Sequence, residues 1–285
     1  DAFIACPPSV EEIDEHTHKY RVDFAAVEER LRRSASGDEE RIGAVCVSRP
    51  TNPSGNVLTD SELRRLDELA RRYEVPLIID NAYGLPFPHI VFEERLEGSA
   101  RPIWNENIIL GMSLSKIGLP GARTGIIVAA KELVTALSRT NAVVSLANTT
   151  VGQHIVEPII RDRSILALAR DTILPFYRRR SDEAVRIVTE AFGSDVPYSL
   201  HRIEGSIFLW LRIPGLPITG RELYRRLKER NVLVVPGEYF FFGNAEIGAW
   251  KHASECLRIN YGQDREDVQR GIEIIAEEVR ALGRR

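Results

Sequence analysis

Short apolar, β-branched runs alternate along the chain with stretches whose leucines recur at helical spacing. Residues 42–48 form a run suited to a buried strand, and Thr59 or Asp60 can cap a helix carried by Leu63, Leu66 and Leu69 to about Tyr73. V-P-L-I-I-D at 75–80 is a second buried run, and residues 107–112 and 124–129 repeat its character. Strands interleaved with helices in this way belong to a mostly parallel sheet flanked by helices, so the expected class is α/β. A longer helical pattern over 165–191 is interrupted at Pro175, where the chain is expected to bend or restart. That break divides the chain into a large unit over residues 1–175 and a smaller C-terminal α/β unit over 176–285. The second unit is expected to hold strands at 207–213, 232–235 and 256–261, a helix over 219–230 and a terminal helix.

A length of 285 residues is enough for one large or two medium domains, and 44% hydrophobic with 28% charged residues is a globular balance that excludes disorder as the main state. The charge sum, 38 minus 41 or −3, provides no positive field for nucleic acid or anionic lipid, so a small-molecule ligand is expected. No apolar run reaches the length of about 18 residues that a membrane helix needs. Cys6, Cys46 and Cys256 form an odd, scattered set without C-x-x-C, which fits packing roles in a reducing, cytoplasmic setting. His16 and His18 lack a third ligand at metal-binding spacing and read as solvated, with the other four histidines as ordinary packing or surface groups. The aromatic run G-E-Y-F-F-F-G at 237–243 reads as cover for the small unit rather than substrate contact. The opening D-A-F-I-A-C-P-P has no initiating methionine and reads as the middle of a fold, so an upstream segment is expected.

In open α/β sheets ligands bind outside the carboxyl ends of the strands, and four sets of residues fall there. S-R-P-T-N-P-S-G at 48–55 either presents Asn52 on a rigid turn or is a plain turn. Asp80 ends an apolar strand and needs a cationic partner to stay ionised, with Tyr83 three residues on. S-L-S-K at 113–116 places Lys116 between an apolar run and a glycine-proline turn, the setting of a lysine that can form a Schiff base. Ser113, Ser115 and Arg123 beside it are groups expected around a phosphate. Arg258 inside C-L-R-I-N-Y suits a carboxylate ligand or a structural salt bridge. An imine-forming lysine, a carboxylate for a ring nitrogen, donors to a phenolate and a phosphate cup are together what pyridoxal 5'-phosphate requires.

N-P-S-G, D-N-A-Y, S-L-S-K and G-A-R-T-G, in this order and with 28 residues from Asn52 to Asp80 and 36 from Asp80 to Lys116, resemble the class I/II aminotransferases of fold type I. The resemblance runs from near residue 20 to the end, and the longer strings are most similar to members that use a small aliphatic amino acid and pyruvate. It implies a three-layer fold with a mostly parallel sheet in the large domain, a smaller C-terminal domain and a homodimer. It implies that Lys116 carries the cofactor as a Schiff base and that Asp80 keeps the pyridine nitrogen protonated. Tyr83 and Asn52 would donate to the phenolate oxygen, Ser113, Ser115 and Arg123 would bind the phosphate, and Arg258 would pair with the substrate α-carboxylate. The substrates would be amino acids and 2-oxo acids, with no nucleic acid or membrane partner. A carbon–sulfur lyase, a decarboxylase, another transaminase or the sensor domain of a transcription regulator could use the same motifs. The family's N-terminal portion, with its ring-stacking aromatic and glycine-rich phosphate turn, has no counterpart in these residues. This segment alone is therefore expected to bind the cofactor poorly and to be inactive.

Overall fold

The computed structural model describes residues 3–147, 150–242 and 250–283, so Asp1, Ala2 and the last residue of the aromatic run, Gly243, lie outside it. The first half contains β1 (Ser9–Asp14), β2 (Thr17–Arg21), α1 (Phe24–Ser36), β3 (Val45–Ser48), α2 (Asp60–Arg72), β4 (Leu77–Asp80), β5 (Ile108–Ser113), β6 (Gly125–Val128) and α3 (Lys131–Ser145). The second contains α4 (Val151–Arg161), α5 (Ser164–Leu168), α6 (Leu174–Phe192), β7 (Ser199–His201), β8 (Phe208–Arg212), α7 (Gly220–Glu229), β9 (Val235–Pro236), α8 (Lys251–Ser254), β10 (Cys256–Asn260) and α9 (Arg265–Gly283).

The expected α/β sheet is present as β3-β4-β5-β6, with the first three strands parallel and β6 antiparallel. Ser48 lies opposite Asp80 and Asp80 opposite Gly111, so the carboxyl ends of the parallel strands share one edge. Because side chains alternate along a strand, Leu77, Ile79, Ile108 and Leu110 turn to one face, where they pack with Leu63, Leu66 and Leu69 of α2 and Val27 and Leu31 of α1. The start of α2 is fixed as its sequence predicts: Thr59 and Glu62 form a reciprocal capping box. On the opposite face Cys46 and Ile127 are exposed.

A second sheet runs β1-β2-β7-β8-β10-β9. Its β8 and β10 turn Leu209, Leu211, Leu257 and Ile259 into a core shared with Ile187 and Val188 of α6 and Ile272 and Ile275 of α9. The hairpin β1–β2 reaches this sheet by parallel pairing of β2 with β7, so residues 9–21 join strands from 199–260. The predicted strand over 232–235 shrinks to β9, because Asn231 adopts φ +61° after α7 and turns Leu233 out to solvent. The expected break at Pro175 arrives as a π-helical turn over Ala169–Ile173, with Pro175 in the first turn of α6, where its missing N–H is tolerated.

Two readings of single residues are corrected. His18 is fully buried rather than solvated, its Nδ1 2.8 Å from Ser199 Oγ, and it clusters with His201 and His252 around Tyr20, none of them isolated. Among the cysteines only Cys256 is buried, whereas Cys6 and Cys46 are exposed.

Candidate functional site

The β3 carboxyl end leads into a loop tied across itself. Thr51 N donates to Asn56 O, Gly55 N to Thr51 O (each 2.8 Å) and Thr51 Oγ1 to Ser48 O (2.9 Å). Gly55 has φ +73°, and a Cβ there would lie 2.7 Å from Gly205 O, so the loop presses backbone to backbone against the segment before β8. Asn52 stands exposed at the apex, and its Oδ1 accepts from Arg258 Nη1 at 2.7 Å.

Arg258 lies opposite Trp210 in the second sheet, a diagonal neighbour of Phe208 on the same face. Its guanidinium sits 4.2 Å from the centre of the Phe208 ring and 5.1 Å from that of Phe240. Burial pushes its pKa down and Tyr83 opposes that, while a guanidinium stays charged at any working pH.

Asp80 ends β4 next to the buried Ile79 and turns to the sheet face away from α1 and α2. Its Oδ1 accepts from Ala82 N at 3.1 Å. The cationic partner expected from the sequence is absent among the described residues. Partial burial pushes the carboxyl up against that one backbone hydrogen bond, although the side chain keeps an exposed edge.

Tyr83 joins these groups. It is 5% exposed and edge-on to Phe208, with ring centres 6.1 Å apart. Burial pushes its hydroxyl up to about 12, with the Arg258 charge opposing the rise and Asp80 adding to it. Lys116 Nζ lies 5.4 Å from the centre of its ring.

Lys116 is held in a 3-10 turn over Ser115–Ile117 directly after β5, anchored by the buried Ile117. Ser113 Oγ accepts from Ser115 N at 3.2 Å. A second 3-10 turn, Pro120–Ala122, delivers Arg123 in the left-handed region at φ +46°. Gly152 lets α4 seat on this turn, because a Cβ there would meet Ala122 O at 2.0 Å. Arg123 is exposed, donates to Pro120 O at 3.3 Å, and lines a cavity of about 400 Å³ with residues 118–122, Val151, Gly152 and Ile155.

Of the eight residues singled out from the sequence, Asn52 and Arg258 are in contact, Ser113 is bonded to Ser115, and Tyr83 lies among Lys116, Asp80 and Arg258. Arg123 follows on the next turn without a hydrogen bond to the others. The sequence reading missed Phe208 and Phe240 as the platform under Arg258. The available signal was Phe208 two positions from Trp210 on one face of I-F-L-W-L-R-I, beside a strand with a charge in its middle.

These residues fit pyridoxal 5'-phosphate. A carboxylate pushed up by burial and without a cation is what a protonated ring nitrogen would complete, and a primary amine stands at the tyrosine beside it.

The class I and II aminotransferase family matches residues 7–275 of the chain. Valine–pyruvate aminotransferase of Escherichia coli (strain K12) is 44% identical over 279 residues, covering 98% of this chain and 63% of that protein. Aromatic-amino-acid aminotransferase 1 of Thermococcus litoralis is 29% identical over 240 residues, covering 80% of this chain and 52% of that one. The crystal structure of valine–pyruvate aminotransferase from Salmonella typhimurium LT2 superposes with a TM-score of 0.89 at 44% identity, covering 100% of this chain and 69% of that chain. The chain thus spans between about half and two thirds of the length of these curated relatives. Nearly its whole length is shared with them in sequence and fold, and the chain belongs to the class I and II aminotransferase family.

Proposed function

We propose that this protein is a pyridoxal-phosphate-dependent aminotransferase that exchanges an amino group between a small aliphatic L-amino acid such as valine and pyruvate. The observation that carries the reading is the convergence on Tyr83 of an amine, a carboxylate and a ring-supported guanidinium, supplied by separate strands and turns. The 44% identity to a valine–pyruvate enzyme supports the choice of substrates.

When bound, the cofactor supplies an electron sink for the pair left on the substrate's Cα. Asp80 holds a proton at the pyridine nitrogen by charge pairing, which its lack of another cation leaves it free to do. Lys116 would hold the cofactor through its amine and, when free of it, would take the proton from Cα as a general base and return it as a general acid. Tyr83 and Asn52 donate to the phenolate oxygen, and Ser113, Ser115 and Arg123 bind the phosphate. Arg258 takes the α-carboxylate in its planar fork, already oriented by Phe208, Phe240 and Asn52.

The division into a large unit over 1–175 and a small one over 176–285 remains part of this proposal, with the hairpin of residues 9–21 reaching across to pair with the second sheet. So does a homodimer, which is supported by the exposed Val143, Val144, Leu146 and Val151 at the α3–α4 junction. No described helix is long and apolar enough to cross a membrane. We place the enzyme in the cytoplasm because its three cysteines are free.

The test is to supply the gene product with cofactor, valine and pyruvate and to measure alanine and the branched 2-oxo acid together. Borohydride reduction followed by peptide mapping is expected to tag Lys116, and Lys116→Ala is expected to lower turnover at least ~10³-fold. A tag on any other lysine overturns the assignment.

A further inference from the structure

At the far end of the Asn52 loop, against Asn56 and Val57, lies a buried ion pair to which the proposed chemistry assigns no role. Lys19 of β2 and Glu204, before β8, are joined at 2.5 Å with both side chains almost fully enclosed. Lys19 Nζ also donates to Asn56 Oδ1 at 2.9 Å, and the Glu204 oxygen that holds Lys19 accepts from Val57 N at 3.0 Å. Both contacts land on the end of the loop that carries Asn52. Asn56 in turn closes that loop, since its carbonyl accepts from Thr51 N at 2.8 Å, one residue before Asn52.

The same segment also reaches the other side of the site. Ser206 O accepts from Tyr261 Oη at 2.6 Å, and Tyr261 follows Arg258 by three residues. Gly205 O lies against Gly55, and Glu204 O accepts from Phe92 N at 2.8 Å. Three separate parts of the chain therefore meet at one charge pair, which holds the loop of the Asn52–Arg258 contact at its Asn56–Val57 end.

A buried ion pair is a poor device for stability alone, because desolvation offsets most of its attraction. Here the offset is incomplete in another way: Glu204 Oε1 is buried without a hydrogen-bond partner among the described residues. Such a pair is better suited to fixing a geometry, since a charged acceptor and a charged donor hold the loop's Val57 N–H and Asn56 amide more tightly than neutral groups would.

We propose that Lys19 and Glu204 are positioning residues for substrate recognition: their ion pair fixes the 51–57 loop so that Asn52 holds Arg258 ready for the amino acid's carboxylate. This rests on the aminotransferase reading of the site. The clamp touches neither the lysine-bearing turn nor the reacting atoms; its loss acts through Asn52, first on the Arg258 contact that orients the guanidinium and more weakly on Asn52's contact to the phenolate.

Either single substitution strands a buried charge and endangers folding, so the informative variant is Lys19→Met with Glu204→Gln, which removes both charges and keeps the volumes. Two measurements are made on the gene product, each against wild type. Hydrogen exchange at amides 51–57 is expected to speed up about tenfold or more while the amides of α2 stay unchanged. In steady-state transamination the KM for the amino acid is expected to rise about tenfold, with kcat changing far less and cofactor affinity falling by no more than about threefold through the Asn52 contact. Unchanged exchange in the loop, or an unchanged KM in a folded and cofactor-loaded variant, overturns the clamp. A purely structural pair would lower the melting temperature without that KM-against-kcat split. Absence of transamination in the wild type sinks the aminotransferase reading instead, and the exchange measurement still decides whether the pair holds the loop.

Discussion

Asp80 illustrates how a functional residue is held at a cost to the free protein. Burial raises its pKa, so folding disfavours the ionised carboxyl relative to the unfolded chain. Stability therefore falls as pH rises from the unfolded value through the raised folded value, and the penalty is complete above it. Asp80→Asn is expected to raise the melting temperature of cofactor-free protein by about 1–3 °C while lowering turnover at least about a hundredfold. A calorimetric scan beside a rate measurement checks both signs. The buried histidines work in the opposite sense. His18 is pushed down to about 3 and His252 to about 4, both by burial first, and His201 is pushed well below its ordinary value for the same reason. His201 Nε2 accepts from Tyr20 N and its Nδ1 lies 2.8 Å from Arg202 O, an arrangement that suits the neutral ring. The unfolded chain takes up protons near pH 6.5 that the native state refuses, so stability is present above that pH and is lost as pH falls toward 4. Urea midpoints measured from pH 7.5 to 4.5 are expected to decline steadily, and His252→Gln to flatten the decline.

At the level of elements, the loop between β3 and α2 does more than connect. Gly55→Ala would place a methyl group against Gly205 O at a positive φ, with an expected cost of about 1–3 kcal/mol and a raised KM as Asn52 shifts. Gly43→Ala, where a Cβ meets nothing within 4 Å, is the matched control and is expected to leave both unchanged. Parallel denaturation curves and substrate titrations of the two variants make the comparison. Elements buried by their own pattern were legible in the sequence: α2 shows leucines at helical spacing behind a capping box, and β4 is a continuous apolar run ending in Asp80. S-V-E-E-I-D and T-H-K-Y-R were not legible, because β1 and β2 are polar and become strands through pairing with each other and of β2 with β7. The same limit hid the clamp. Lys19 looks like a surface lysine until Glu204, 185 residues away, closes over it. Lys116, Asp80 and Arg258 could be singled out because each is a polar group just after, at the end of, or within an apolar run, and Tyr83 because it follows Asp80 by three residues. Phe208 and Phe240 could not, because an aromatic residue reads as core until the cation above it is known.

Across the whole molecule, one face of the β3–β6 sheet is covered by α1 and α2 while the other leaves Cys46, Asp80 and Ile127 accessible. Arg123 is exposed as well, beside an open cavity. Water therefore competes at the proposed ring and phosphate contacts, and the isolated 285 residues are expected to hold pyridoxal phosphate with micromolar or weaker affinity. Equilibrium dialysis measures this, and tight binding by the isolated chain would contradict it. The two sheets meet at Asn52 and Arg258, and that junction also determines which molecules are refused. Two aromatic rings and one amide oxygen hold the guanidinium in place before any guest arrives, leaving most of its N–H groups unanswered among the described residues. On the aminotransferase reading, a simple alkylamine, identical to valine but stripped of its acid group, would cover this cation and offer it nothing in return, so decarboxylated look-alikes are expected to be turned away at the door whatever the fit of their side chains.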